Sequence, residues 1–311
     1  MKLLKKIFKS LIITLSVFII LISILAVYNH IELKKEARQI IPNGKMVNLN
    51  LYKVHVYTEG ENKKAPTLVF LSGSGTVAPV YDFKVLYSLL SDKYKIAVVE
   101  KAGYGYSDII NLKRDVNIMV NELRRALIKA DINGPYILIP HSMSGLEAIY
   151  WAQKFPEEIS GIIGIDMAVP SSYDDFDFEK TNQMMTLANI SAKLGLLRIP
   201  YIYPLSELAL NETEIYQQKL LMYRNALNPI YLTEGKAIYN NAQIVKKGDP
   251  ISCPILMFLS NGKETGESWI LSQKEYAKEN DAKIISFDCG HYIHHYKSDE
   301  MADSIKLFIE K

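Results

Sequence analysis

One short stretch constrains the fold of this chain more than any other. Residues 137–148 read ILIPHSMSGLEA, an apolar run that stops abruptly at Ser142 and continues as a helical pattern. A buried run of this length followed directly by helical spacing is typical of a strand that turns sharply into a helix. The stretch therefore predicts a βα unit with Ser142 at the apex of its turn.

Ser142 occupies a position suited to a nucleophile. In a strained strand-to-helix turn the serine hydroxyl is raised off the sheet, and the residues two before and two after must be small. Pro140 and Ser144 stand there. Ser144 is a competitor, but it would place Leu146 where a small residue is needed. The alternative reading is that Ser142 is only the N-cap of the next helix.

The chain from Pro66 onward alternates short apolar runs with helical periods. The runs cover residues 67–71, 96–99, 136–139, 161–165, 255–259 and 284–287. Continuous apolar strands indicate a parallel sheet covered by helices on both faces. Residues 46–51 and 52–58 instead alternate apolar and polar side chains, which favours an antiparallel hairpin. We predict an α/β fold with a mostly parallel sheet, whose sites form beyond the carboxyl ends of the strands.

Residues 171–250 break this rhythm. They are helical in tendency, rich in Met, Leu, Ile and Tyr, and lie between the sixth and seventh predicted strands. Long insertions inside compact domains are usually functional, so we predict a helical cap over the site. The alternative is another packed helical layer.

The N-terminal segment differs in composition from the rest of the chain. Residues 10–28 are apolar and uncharged, close to the ~20 residues that cross a bilayer as a helix. A cleaved signal peptide is the alternative, but residues 24–27 fit its small-x-small site poorly. We predict a transmembrane signal-anchor over residues 1–30, a linker over 31–44 and the folded domain over 45–311. The apolar stretch is preceded by four lysines, Lys2, Lys5, Lys6 and Lys9. Lysines at this end favour a single-pass cell-membrane protein with an extracytoplasmic domain.

Composition excludes several classes of function. The chain has 311 residues, 49% of them apolar, enough for one large core. Its net charge of +2 is dispersed, which gives no case for a nucleic-acid partner. Cys253 and Cys289 fall near opposite ends of predicted parallel strands and are read as free thiols. No Cys/His group has zinc-site spacing, so the sequence predicts no metal and no cofactor.

A histidine follows the last predicted strand. Gly290 permits a tight exit from the strand and places His291 first in the loop, where it could take a proton from Ser142. His294 and His295 are close rivals. The other histidines are expected to pack against the elbow (His141) or to lie outside the site-forming edge (His30 and His55).

Two carboxylates compete to orient this histidine. Asp166 ends the strand over residues 161–165, and Glu264 lies in the polar loop after residues 255–259. Both strand ends can present a carboxylate to His291. We favour Asp166, because strands hold geometry better than loops. Glu264 stays open.

A glycine-rich turn follows the first parallel strand. Residues 72–75 read SGSG, and such a turn lets backbone N–H groups approach an oxygen that gains negative charge. The N–H groups of Ser74 and Met143 are the predicted donors of an oxyanion hole. The alternative is a flexible turn.

Taken together, these motifs resemble the α/β-hydrolase superfamily from about residue 45 onward. Residues 72–74 resemble its oxyanion turn, residues 100–108 resemble its D-x-x-G-x-G-x-S-D loop, and residues 140–145 resemble G-H-S-M-G-G. Gly290-His291 resembles the terminal G-H motif. The resemblance implies a serine hydrolase of the esterase or lipase type. Serine at position 142 argues against the branches that use aspartate, the haloalkane dehalogenases and epoxide hydrolases.

The chain also departs from the family pattern. Ser72 replaces a histidine, Glu100 an aspartate and Pro140 a glycine, and Glu264 stands one place after the usual loop acid. The expected function is hydrolysis of a small acyl substrate with hydrophobic character. The alternatives are a non-catalytic surface binding protein and an aminopeptidase, whose ammonium-binding group would come from the cap acids Asp174, Asp175, Asp177 and Glu179.

Overall fold

The computed structural model describes residues 2–61, 65–199 and 205–310. Its centre is an eight-stranded sheet in the order β1-β2-β4-β3-β5-β6-β7-β8. The six strands β3 to β8 are mutually parallel, and β1 and β2 form an antiparallel edge beside β4. The predicted fold class is confirmed. The strands are β1 Lys45–Asn48, β2 Lys53–Glu59, β3 Thr67–Leu71, β4 Ile96–Glu100, β5 Tyr136–Pro140, β6 Ile159–Ile165, β7 Ile255–Leu259 and β8 Lys283–Ser286.

Helices cover both faces of the sheet, and this explains why the inner strands are apolar throughout. On β3, Val69 and Leu71 pack with α4, α5 and α9, whereas Leu68 and Phe70 pack with α3 and α11. The covering helices are α2 Pro79–Asp82, α3 Lys84–Tyr87, α4 Val116–Lys129, α5 Gly145–Lys154, α9 Glu267–Glu279, α10 Ile293–Tyr296 and α11 Ser298–Ile309.

In the described part of the chain, three α-helices lie between β6 and β7, where the sequence predicts a helical insertion. They are α6 Phe178–Lys193, α7 Glu212–Asn225 and α8 Pro229–Lys246. Residues 200–204 of the predicted cap, like residues 1, 62–64 and 311, lie outside the described part of the chain. The start of α8 and the end of α7 are tied to the core: the Asn225 amide donates to the carbonyls of Val77 (2.9 Å) and Gly105 (2.7 Å), and Asn228 donates to Gly103 (2.8 Å).

The N-terminal segment is one long helix, α1, over Lys2–Glu36. Among the described residues it is the one helix long and apolar enough to cross a membrane, and none of its most apolar stretch is buried. A core helix of a soluble protein would be mostly covered, so burial in the domain does not explain this composition. The helix continues past residue 30 into the stretch predicted as linker.

Candidate active site

The turn after β5 forces Ser142 into an unusual backbone conformation. Its φ is +55°, a region that residues with a side chain rarely adopt. A 3-10 turn, Ser142–Ser144, then leads into α5. The Ser142 carbonyl accepts a hydrogen bond from the Ala168 N–H at 2.8 Å, which ties the turn to the chain beyond β6. This geometry lifts the Ser142 side chain at the carboxyl edge of the sheet.

Small residues around Ser142 permit this turn. A Cβ at Gly145 would lie 2.1 Å from the Ala168 carbonyl oxygen, so any side chain there would displace the backbone. Ser144 is fully buried, and its hydroxyl donates to the carbonyls of Leu71 (2.7 Å) and His141 (2.8 Å). The rival serine is therefore used to brace the turn.

The glycine-rich turn lies directly against Ser142. A Cβ at Gly73 would come within 2.7 Å of the Ser142 Cβ, so this close approach requires glycine. The Thr76 hydroxyl donates to the Gly73 carbonyl at 3.3 Å and stabilises the turn. Ser74 is exposed at its tip, whereas Met143 is buried in the elbow.

Asp166 meets the imidazole of His291. The distance from Nδ1 of His291 to Oδ2 of Asp166 is 2.6 Å, and the carboxylate is fully buried. Its other oxygen accepts hydrogen bonds from the Ser260 N–H (3.2 Å) and the Gln273 side-chain amide (2.9 Å). Burial by itself would raise the pKa of Asp166, but the hydrogen bonds and charge of His291, with Gln273 and Ser260, outweigh it and lower that pKa.

Glu264 contacts the backbone of His291 instead of its ring. The carboxylate accepts the His291 N–H at 2.8 Å. The two carboxylates that competed in the sequence therefore hold the same residue at two different points. Asp166 fixes the ring, and Glu264 fixes the loop from which the ring projects.

His141, next to the elbow serine in the chain, contacts the His291 loop. Its Nε2 lies 3.3 Å from the His291 carbonyl oxygen, and the two ring centroids are 4.6 Å apart. The pKa of His141 is well below its usual value. Burial of the ring is the main cause, and the nearby His291 and His294 rings lower the pKa further. A neutral His141 thus donates to the loop and packs it against the elbow.

The rival histidines after His291 bind a different carboxylate. Asp82 accepts from Nε2 of His294 and Nε2 of His295, each at 3.1 Å. Burial by itself would raise the pKa of Asp82, but His294 and His295 outweigh it and lower that pKa. The pKa of His294 is also lowered, mainly because its ring is buried. Within the described residues these three ligand atoms lie within 4.8 Å of one another, a group that could hold a divalent cation. The cluster fixes α10 to α2 beside the His291 loop.

Glu100, which departs from the family aspartate, organises its loop. It is fully buried and accepts hydrogen bonds from the N–H groups of Val80 (3.0 Å) and Tyr106 (2.8 Å) and from Nδ1 of His55 (2.9 Å). His55, on β2, therefore contacts this loop and not the Ser142 region. His30 lies exposed on α1.

Two further sequence expectations concern side chains away from Ser142. Cys253 and Cys289 are free thiols, as predicted. Among the cap acids, Asp174 pairs with Lys246 at 2.8 Å, and Asp177 accepts the Lys180 N–H at 3.0 Å to cap α6. These two carboxylates already have partners.

Several residues around the site carried no signal in the sequence. Gln273 lies on α9 and Asp82 on α2, and neither belongs to a recognisable motif. The Ser260 contribution is a backbone N–H, which any residue could supply. A cavity of about 470 Å³ opens beside the His291 loop, lined by Thr76, Glu264, Tyr292 and His295 among others.

The order of the strands and the helices on both faces of the sheet define an α/β-hydrolase fold. No protein-family model matches the chain. It is 34% identical, over an alignment of 327 residues, to the uncharacterized protein YbdG of Bacillus subtilis (strain 168), with 100% of this chain and 99% of that protein covered. The chain therefore belongs to the same family as this full-length relative.

Solved structures agree with this fold. Cfl2 from Burkholderia cenocepacia has a TM-score of 0.62 at 15% identity, covering 85% of this chain and 95% of that chain. A carboxylesterase of the thaumarchaeon Nitrososphaera gargenis has a TM-score of 0.61 at 15% identity, covering 83% of this chain and 94% of that chain. At such identities the likeness concerns the fold.

Proposed function

We propose that this protein is a membrane-anchored serine hydrolase that cleaves an ester or related acyl bond. The observation that carries the proposal is the 2.6 Å hydrogen bond from His291 to the buried Asp166, at the sheet edge where Ser142 occupies its strained turn. A nucleophile, a base and an orienting carboxylate at one edge are the parts that acyl transfer needs.

The proposed reaction has two halves. Ser142 Oγ attacks the carbonyl carbon while Nε2 of His291 takes its proton, and the N–H groups of Ser74 and Met143 stabilise the oxyanion. The intermediate expels the alcohol, which receives the proton from His291, and leaves an acyl-serine. A water molecule then gives its proton to His291 and attacks the acyl carbon. The second intermediate then collapses, the proton passes from His291 to Ser142 Oγ, and the carboxylic acid is released. Throughout, Asp166 holds the ring and stabilises the imidazolium.

The same proposal assigns α1 to the membrane. A bilayer core of about 30 Å matches the uncharged stretch over residues 10–28. The lysines before it favour an N-terminus on the cytoplasmic side and a folded domain outside. The carboxylesterase named among the structural neighbours supports an ester substrate, although the peptidase and binding-protein alternatives share the fold.

A fluorophosphonate probe tests the serine chemistry directly, because it labels only an activated serine. We expect the full chain in detergent to be labelled, Ser142→Ala to lose labelling, and Ser144→Ala to keep it. Ser144→Ala is a matched control, since it removes a neighbouring serine hydroxyl that is fully buried and out of reach of the probe. Absence of labelling in folded wild-type protein would contradict the hydrolase proposal and favour a binding protein.

A further inference from the structure

One face of α1 packs against the folded domain, and this face begins inside the apolar segment. Its partly or fully buried residues recur every three or four positions: Ile22, Leu25, Ala26, Asn29, Glu32, Leu33 and Glu36. The described residues before Ile22 are exposed. The uncharged stretch ends at Tyr28, so the packed face extends along about 9 Å of apolar helix at 1.5 Å per residue.

The part of the domain that α1 contacts is the cap. The Asn29 amide donates to the carbonyls of Ala192 and Lys193, both at 3.3 Å, at the end of α6. A Cβ at Gly195 would lie 2.8 Å from the Asn29 Cβ and 3.2 Å from the Leu25 carbonyl oxygen. The cap backbone therefore touches the last turn of the apolar segment.

An arginine clamp holds this contact. Arg198 donates to the Asn29 side chain at 2.7 Å and to both carboxylate oxygens of Glu36 at 2.8 and 2.7 Å. A bidentate arginine–carboxylate pair fixes orientation as well as distance. With α1 across a bilayer, the cap segment up to Arg198 lies at the membrane surface.

The cap also exposes apolar side chains next to this contact. On α6, Met184, Leu187 and Ile190 are 61%, 66% and 49% exposed at a spacing of three, along one face. Ile199, just after the clamp, is 46% exposed. Apolar side chains on a helix face suit the boundary between lipid headgroups and acyl chains.

Two adjacent cavities lie between this membrane-facing segment and the His291 loop. A cavity of about 270 Å³ is lined by Leu197, Arg198 and Ile199. It shares Leu205 and Gln218 with the cavity of about 470 Å³ that borders the His291 loop. The cavities adjoin at these two residues, and a route from the docked end of the cap toward the site would pass between them.

We infer that the cap docks on the lipid bilayer beside α1, and that the substrate is a long-chain lipid ester which enters from the membrane along this route. The inference rests on the proposed membrane-anchored hydrolase and names its substrate class. An acyl chain that leaves the bilayer through the cap avoids exposure to water, which is unfavourable for every CH₂ group of the chain.

Tryptophan quenching tests the docking without any assay of activity. The full chain would be reconstituted in phosphatidylcholine vesicles with brominated acyl chains, which quench tryptophans that reach them. Ile199→Trp places a probe in the docked segment, and Leu307→Trp, at an exposed position of α11, is the control. We expect strong quenching of the first added tryptophan and little of the second. Equal quenching of the two would overturn the docking.

Selective loss of lipid hydrolysis tests the route. Leu205→Trp narrows the junction of the two cavities, and we expect kcat/KM for 1-oleoylglycerol in vesicles to fall about tenfold. Turnover of 4-nitrophenyl acetate should stay within about twofold. Leu307→Trp should leave both unchanged. Equal effects of Leu205→Trp on the two substrates, or none, would overturn the route.

The two levels of the proposal fail differently. A wild type that hydrolyses the acetate ester but not the acylglycerol contradicts the lipid substrate and leaves the serine hydrolase standing. A wild type that cleaves neither ester and resists the fluorophosphonate contradicts the hydrolase itself, and the lipid substrate with it. The tryptophan-quenching experiment tests bilayer docking independently of any hydrolase activity.

Discussion

Nδ1 of His291 lies 2.6 Å from Oδ2 of Asp166, although the two residues are 125 positions apart in the chain. The carboxylate is fully buried and accepts two further hydrogen bonds, which leave it little freedom to move. A ring held this way presents its other nitrogen in one tautomer. The first prediction concerns this contact.

Asp166→Asn should remove most of the activity. An asparagine keeps the shape but favours the wrong imidazole tautomer, and the equivalent change in serine proteases costs about 10⁴-fold in kcat. Turnover of 4-nitrophenyl acetate by the full chain in detergent measures the effect. Glu264→Gln, which leaves the Asp166 contact intact, should cost far less. A larger loss in Glu264→Gln than in Asp166→Asn would show that the glutamate is the orienting acid.

Glu264 should act as a positioning residue through the His291 backbone. Glu264→Ala removes the acceptor of the His291 N–H, and we expect kcat to fall about tenfold with KM nearly unchanged. Glu264→Gln keeps an acceptor oxygen and should restore most of that loss. Steady-state kinetics of both variants decide this. If glutamine were as defective as alanine, the carboxylate charge and not the hydrogen bond would matter.

The stability contributed by Asp166 should depend on acid pH. Its pKa in the folded chain is below the ordinary 3.8, so the unfolded chain binds this proton more readily. The stabilisation is therefore complete above the ordinary pKa and is lost as pH falls through the lower folded value. Denaturant unfolding of wild type and Asp166→Asn between about pH 6 and about pH 3 should show a shrinking difference. A constant difference over that range would refute this account.

A buried ion pair should hold α8 to the core. Arg114 and Glu234 are fully buried and 2.9 Å apart, and Glu234 also accepts from the Tyr104 hydroxyl. Glu234→Ala leaves the guanidinium without this partner and should reduce the free energy of unfolding by about 3–5 kcal/mol. Denaturant unfolding measures the change.

The matched control for this pair lies on the same helix. Lys246 pairs with Asp174 at 2.8 Å, but the two side chains are 48% and 40% exposed to solvent. Lys246→Ala should change the free energy of unfolding by about 1 kcal/mol or less. If the two variants lost similar amounts of unfolding free energy, burial would not explain the contribution of the Arg114–Glu234 pair to stability.

The bounds of the strands were predicted more accurately where the strand is buried. β3 and β7 have the predicted bounds, because each is a run of five buried residues whose ends coincide with the ends of the apolar pattern. β8 runs over Lys283–Ser286 instead of 284–287 and is only partly buried. At a sheet edge the side chains constrain the register less, so the pattern locates the strand less sharply.

The sequence alone indicated the serine turn, the histidine loop and the succession of strands and helices along the chain, because local spacing and small residues express them directly. It left open which carboxylate meets His291, since Asp166 and Glu264 both follow strand ends. The sheet order places β6 beside β7, and the loop after β7 sends Glu264 to the backbone of His291. The clamp between Arg198 and Glu36 likewise joins segments far apart in the chain. Contacts of this kind depend on how the loops pack in three dimensions, and only the tertiary structure decided them.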